Sequence, residues 1–294
     1  MTGPVEIVGL GEVLWDLLPG GKQPGGAPFN FTFHCHQLGH ASVIVSRVGT
    51  DDLGREVRDV LVRLGLSDTF LQADDAHPTG TVQVDLDQGG QPTFTITPNV
   101  AWDHLAWEED LEGLLSRAQA VCFGTLAQRH VVSRATIQRA LQAVRNALIV
   151  CDINLRQHYY DREVIEASLS ASRWAKLNED ELEVLRGLLR LKGKTPSDLM
   201  TDLRLRYDLE VVALTCGERG CLVQAKDEEI AVPGVHVAVV DTVGAGDAFT
   251  AGLLVGVLEG KSLAEAATFA NCLAARVAAS AGGTPTFRRE QLGL

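Results

Sequence analysis

The chain is short of positive charge: 26 Lys and Arg stand against 38 Asp and Glu, a formal balance of −12. Broad electrostatic binding of nucleic acid or of an anionic membrane needs a basic face, so both partner classes are excluded, although a local basic pocket is not. No CxxC pair occurs among Cys35, Cys122, Cys151, Cys216, Cys221 and Cys272. These thiols sit mostly in apolar surroundings and read as reduced core residues, not as a zinc or disulfide framework. No basic segment precedes an apolar one at the N-terminus, where Glu6, Glu12 and Asp16 interrupt the first apolar run. A secretory signal is therefore not expected, and the reading is a cytoplasmic protein. The longest uncharged apolar stretch, Ala248 to Leu258, ends at Glu259 and is too short to span a bilayer. Two familiar phosphate cradles are also missing. Gly9-Leu10-Gly11 begins like a dinucleotide fingerprint, but Leu14 stands where the third glycine belongs. In VGVLEGKS, Val255 to Ser262, the glycines 256 and 260 are one residue too close for a Walker A loop, and Gly260 reads as a helix C-cap.

What is present is an ordinary soluble globule, 46% hydrophobic over 294 residues. Val5 to Gly11 reads as a buried strand, followed by an exposed ribbon over Val13 to Leu18 and a Gly/Pro loop over Pro19 to Pro28. A helix follows from Phe29 to Leu38. Ser42 to Ser46 reads as a strand and Gly54 to Leu64 as a helix, the start of a βα alternation that implies a parallel sheet. The period then changes. Thr81 to Asp87 and Thr93 to Thr97 alternate apolar and polar residues around a turn at 88–92, the pattern of a hairpin with one wet face. With the 13–18 ribbon it forms a small sheet off the main body, a lid able to exclude water, and its open edge suggests a homodimer. The alternation then resumes with strands at 120–123, 148–152, 174–177 and 210–214. Polar residues gather just beyond their ends: Asp152, Asn154 and Arg156; Asn178 and Glu181; Thr215, Cys216 and Gly217. In an open parallel sheet that is where ligands bind.

The stretch DTVGAGDAFTAGLL, Asp241 to Leu254, runs a glycine turn into a helix apolar on nearly every face. Gly244 and Gly246 let a ligand reach the backbone, and the first N–H groups of the helix are unpaired donors suited to an anion. Asp247 at that end would serve as the base for a hydroxyl receiving a phosphoryl group. The same residues also describe a capped core helix. Asn30, behind Gly25-Gly26-Ala27, either contacts a hydroxylated ligand or caps its helix. Asn178 and Glu181, three apart, either hold Mg²⁺ directly or through water, or form a capping box.

Two motifs resolve these alternatives by resemblance: GGAPFNFT from Gly25 to Thr32, continuing to Gly39 and Gly49, and the segment from Asp241 to Leu253. Over essentially its whole length the chain resembles the ribokinase-like (PfkB) sugar kinases and looks most like bacterial fructokinases, through GEVLWDLLP, GGAPFN and DINLR. The resemblance implies one kinase domain over 1–294, a three-layer α/β/α sandwich with a mostly parallel sheet, and a β lid from about 12–18 and 81–97. It implies Asp247 as base and Gly244, Ala245, Gly246 and Asp247 as anion hole. Asp16, Gly26, Asn30 and Arg156 match sugar-binding positions. Asn178, Thr215, Gly217, Gly220 and Asn271 match ATP-binding positions, and Glu181 with Asn178 matches the element that handles Mg²⁺. Asp241 and Thr242 match ligands of a monovalent cation, K⁺, whose other ligands in Ala281-Gly282-Gly283-Thr284 stay unassigned. The expected activity is ATP-dependent phosphorylation of fructose. The alternatives are a keto-sugar acid of the 2-keto-3-deoxygluconate type, a nucleoside, or a catalytically silent sugar sensor.

Overall fold

The computed structural model describes residues 7–18, 20–86 and 92–289. In chain order the elements are β1 (Ile7–Leu10), β2 (Leu14–Leu18), β3 (Gly21–Gly25), α1 (Ala27–Gln37), β4 (Ser42–Gly49), α2 (Asp52–Arg63), β5 (Leu71–Asp74), β6 (Gly80–Leu86), β7 (Pro92–Ile96), α3 (Glu109–Arg117), β8 (Ala120–Phe123), α4 (Val131–Ala143), β9 (Leu148–Asp152), α5 (Arg162–Ser170), β10 (Trp174–Asn178), α6 (Glu179–Leu189), α7 (Pro196–Arg206), β11 (Val211–Thr215), β12 (Cys221–Gln224), β13 (Glu229–Val232), α8 (Ala245–Leu258) and α9 (Leu263–Ala278).

The large sheet has the order β13-β12-β11-β10-β9-β8-β1-β4-β5. It is parallel from β11 through β5, and β12 and β13 add on antiparallel. Its central strands are buried on both faces, which is why IVGL, AVCF and LIVCD read as continuous apolar runs. One face packs on α3 to α7 through residues such as Leu114, Ile137, Leu169, Leu185 and Leu203. The other packs on α1, α8 and α9 through Phe31, Phe249, Leu254 and Leu273. The result is the three-layer α/β/α arrangement expected from the resemblance. From β1 the chain grows through β4 and β5 to one edge, then returns to β8 on the other side of β1 and grows the opposite way. That reversal opens a crevice beyond the carboxyl ends of the strands. No helix among the described residues is long and apolar enough to cross a membrane.

The second, smaller sheet, in the order β3-β2-β6-β7, contains the ribbons expected to form the lid. The expected Pro19 to Pro28 loop contains β3, paired antiparallel with β2 from Gly25 opposite Leu14 to Gly21 opposite Leu18. Glycine and proline masked it; both are tolerated on an edge strand. The short strand β5 and the antiparallel pair β12 and β13 were also not evident from pattern, because each is brief and gains its pairing from a distant neighbour. Residues 88–91 of the expected turn at 88–92, with Asp87, Val5 and Glu6, lie outside the described residues, and Pro92 begins β7. Glycines close the helices as read: Gly39, Gly65 and Gly260 follow α1, α2 and α8 with φ of 98°, 75° and 83°.

Candidate active site

The helix α8 begins earlier than its apolar run suggests, at Ala245, so Asp247 is its third residue. Gly244 takes the left-handed conformation (φ 76°) needed to turn the chain into the helix. Ala245 N–H turns back to Thr242 O at 3.3 Å and Ala248 N–H to Gly244 O at 2.8 Å. Among the described residues no side chain caps this end. Gly246 and Asp247, the second and third residues of the helix, border the cavity, where first-turn N–H groups have no acceptor within the helix and stand at the positive end of its dipole.

Asp247 is 8% exposed, and its Oδ2 accepts from Asn30 Nδ2 at 2.8 Å. Burial lifts the Asp247 carboxyl to about 6; the neighbouring Asp152 charge adds to the rise, while the Asn30 hydrogen bond, Lys176 and Arg156 oppose it. A carboxylate that titrates there is ionised at neutral pH yet a stronger base than an exposed one. Asn30 does not cap its own helix by its side chain: the N-cap of α1 is Gly26, without a side-chain bond.

Beneath the start of α8 lies a buried ion pair that local sequence reasoning did not anticipate. Lys176 Nζ donates to Asp152 Oδ1 at 3.1 Å, with side chains 8% and 6% exposed. Thr250 Oγ1, one turn into α8, donates to Asp152 Oδ2 at 2.9 Å. A Cβ on Gly246 would fall 2.8 Å from Lys176 Nζ, so the ammonium lies directly under the start of α8. The signal was a lysine inside the apolar strand WAKLN, since a charge in a strand buried on both faces needs a partner. Glu12 was also missed as a site residue. It is 3% exposed and burial raises it to about 7, opposed by backbone hydrogen bonds and by Arg156.

Glu12, Asn30, Lys176, Gly246 and Asp247 border one cavity of about 1020 Å³ between the small sheet and the strand ends, and Asp152 and Thr250 lie behind its wall. Every residue assigned by resemblance lines it except Glu181. Leu14, Leu18, Val82 and Ile96 of the lid form an apolar roof, with Asp16 among them. Burial lifts Asp16 to about 6, Arg156 opposing and Asp241 adding to the rise. At the other end Val235, Val237, Val239, Asn271 and Ala274 form a largely apolar slot, with Asn271 Nδ2 donating to Pro233 O at 2.7 Å. The exposed valines of that slot were not singled out in the sequence.

Asn178 and Glu181 form a reciprocal cap on α6. Glu181 N–H donates to Asn178 Oδ1 (2.9 Å), Asn178 N–H to Glu181 Oε2 (2.8 Å), and Leu155 N–H to Glu181 Oε1 (2.9 Å). Both Glu181 oxygens are thus engaged by backbone N–H groups, and of the pair only Asn178 borders the cavity. Among the described residues no three His, Cys, Asp or Glu side chains are grouped to hold a metal ion. Asp241 accepts from Val243 N–H and from Gly282 N–H, both at 3.0 Å, and so joins the turn before α8 to the loop after α9.

Known proteins share this architecture and sequence. The model of the pfkB family carbohydrate kinases matches residues 19–288. A fructokinase from Klebsiella pneumoniae is 32% identical over 271 residues, covering 87% of this chain and 85% of that one. The structure of an uncharacterized sugar kinase from Pyrococcus horikoshii in complex with ATP superposes with a TM-score of 0.82 at 28% identity, covering 97% of this chain and 96% of that one. A double-mutant fructokinase from Vibrio cholerae O395, bound to fructose, ADP and potassium, has a TM-score of 0.83 at 23% identity, covering 100% and 99%, and supports the fold. The chain belongs to the pfkB family of carbohydrate kinases, and it is an ATP-dependent sugar kinase.

Proposed function

We propose that this kinase phosphorylates fructose on a primary hydroxyl, with Asp247 as the general base. The observation that carries the mechanism is Asp247 itself: buried, oriented by Asn30, titrating near 6, and adjacent to two unpaired N–H groups at the start of α8. The sugar would lie under the lid against Asp16, Gly26, Asn30 and Arg156. The nucleotide would run from the anion hole past Thr215, Gly217 and Gly220 to the slot beside Asn271. Asp247 takes the hydroxyl proton as that oxygen attacks the γ-phosphorus in line. The bond from the γ-phosphorus to the β,γ-bridging oxygen breaks, and the products are the sugar phosphate, ADP and a proton. The N–H groups of Gly246 and Asp247, with the Lys176 ammonium beneath, offset the charge that develops on the phosphoryl oxygens. Mg²⁺ would neutralise the nucleotide phosphates; Asn178, which borders the cavity, would reach it directly or through water, and Glu181 fixes Asn178 in place. For K⁺, Asp241 and Thr242 are the candidate ligands.

Fructose is supported by the fructokinase relatives and by the charge of the sugar end of the cavity. Glu12, Asp16, Asp241 and Asp247 border it together with Arg156, a setting that favours a neutral polyol over a sugar acid. The test is ATP consumption with fructose, other sugars, 2-keto-3-deoxygluconate and nucleosides, comparing wild type with Asp247→Asn. The expected result is turnover fastest on fructose, falling about 10²- to 10⁴-fold in the variant, with the wild-type kcat/KM dropping as pH falls through about 6. Undiminished turnover in Asp247→Asn refutes the base assignment; faster turnover of an acid or a nucleoside refutes the substrate.

A further inference from the structure

The helix α1 presents Asn30, His34 and Gln37 on one face, at spacings of four and three. That face meets the segment from Gly283 to Phe287. His34 is completely buried (0% exposed), and its Nε2 lies 2.9 Å from Gly283 O. Its Nδ1 lies 2.9 Å from Gln37 Nε2. Gln37 Oε1 accepts from Phe287 N–H at 3.3 Å, so the amide nitrogen is the atom turned toward the imidazole. Nδ1 is therefore the acceptor, and Nε2 carries the proton and donates to Gly283 O; the tautomer is set by the network.

Gly283 occupies a crowded position. A Cβ there would fall 2.8 Å from Asn30 Nδ2, and a Cβ on Gly244 would fall 2.5 Å from Gly283 Cα. Gly283 is thus wedged between the side chain that orients Asp247 and the turn that begins the anion hole. Its neighbour Gly282 is held from the other side by Asp241. We propose that His34, held by Gln37, is a positioning residue of the phosphoryl-transfer site: its Nε2–H pins the Gly283 carbonyl and so fixes Asn30 and the Gly244 turn around Asp247. This rests on Asp247 being the base. A buried ammonium at His34 would bring an unpaired charge, and an aliphatic residue would leave the carbonyl unsatisfied. A neutral imidazole meets both constraints, and burial keeps it neutral by lowering its titration to about 4, against the opposing pull of the Gly283 hydrogen bond.

The test compares His34→Leu, His34→Gln and Gln37→Met with wild type by kcat, KM for both substrates, the pH profile of kcat/KM and thermal melting. His34→Leu is expected to lower kcat about 10- to 100-fold with each KM within about threefold, the scale of a small misplacement of reacting groups. Its acid limb moves to higher pH, because the Asn30 hydrogen bond holds Asp247 down. The other groups that face Asp247, namely Asp152 on β9, Lys176 on β10, Arg156, Glu12 and Cys122 on β8, are untouched by the substitution. His34→Gln keeps an amide donor and recovers kcat, while Gln37→Met shifts both readings in the same direction by less. Wild-type kcat in folded His34→Leu, or a loss with the acid limb unmoved, overturns the proposal. If His34→Leu does not fold, Gln37→Met decides, and an unchanged profile there overturns it. Asp247→Asn, assayed alongside, tests the base assignment independently of any His34 variant.

Discussion

Replacing Lys176 by Met removes the cation of the pair under the anion hole while keeping a long side chain to fill its space. Asp152 then keeps its Thr250 hydrogen bond but loses the charge that neutralised it inside the sheet. Breaking a buried pair by deleting one partner costs about 3–5 kcal/mol, because the remaining ion is uncompensated. For a chain of this size that corresponds to a melting temperature lower by roughly 5–8 °C. The double variant Lys176→Met/Asp152→Leu removes both charges, and the same reasoning has it recover most of the loss. Catalysis supplies a second reading. Lys176 holds Asp247 down and Asp152 pushes it up, so Lys176→Met moves the acid limb of kcat/KM to higher pH and Asp152→Asn moves it lower. Thermal melts of the ligand-free protein and pH–rate profiles of the three variants measure both. A Lys176→Met protein that melts within about 2 °C of wild type with an unmoved acid limb refutes the account of this pair.

Glu12→Gln is expected to change how stability depends on pH. Burial raises Glu12 from 4.5 to about 7 in the folded chain. Its contribution is therefore fully present below pH 4.5 and lost as pH rises through about 7. The shift corresponds to about 3 kcal/mol. Urea midpoints at pH 5 and pH 8.5 should show the variant gaining on wild type at the higher pH, and an equal difference at both would refute it. Gly244→Ala places a Cβ at φ 76° and within 2.5 Å of Gly283 Cα. Strain of about 1–3 kcal/mol should appear as a lower melting temperature, together with a loss of kcat from a displaced anion hole. Wild-type values of both would show that the two turns are not in contact.

Much of this protein is legible locally. The runs IVGL, AVCF and LIVCD become central parallel strands because a strand covered on both faces has no polar side to alternate. The glycine turn before an all-apolar helix shows where a buried helix exposes its N–H groups, and the alternating ribbons give the lid. What could not be read is decided by contact between distant residues. The strand β3 looks like a loop because its pairing with β2, not its composition, makes it a strand. The Asn178 and Glu181 spacing reads as a cap or a metal element, and only the fold shows that the cap forms, with Leu155 N–H brought to the second carboxylate oxygen.

The sequence by itself determined the alternation of strands and helices, the strand-end clusters, and the two glycine motifs, because each follows from periodicity or from the absence of a side chain within a few residues. Tertiary structure alone decided that Asn30 orients Asp247 across 217 residues of chain, that Lys176 and Asp152 lie under Gly246, and that His34 reaches Gly283. Those pairings depend on which strands become neighbours and how α1 and α8 pack together. In the buried space so formed, loss of water raises the carboxyls of Glu12, Asp16 and Asp247 toward neutrality and makes each remaining hydrogen bond count.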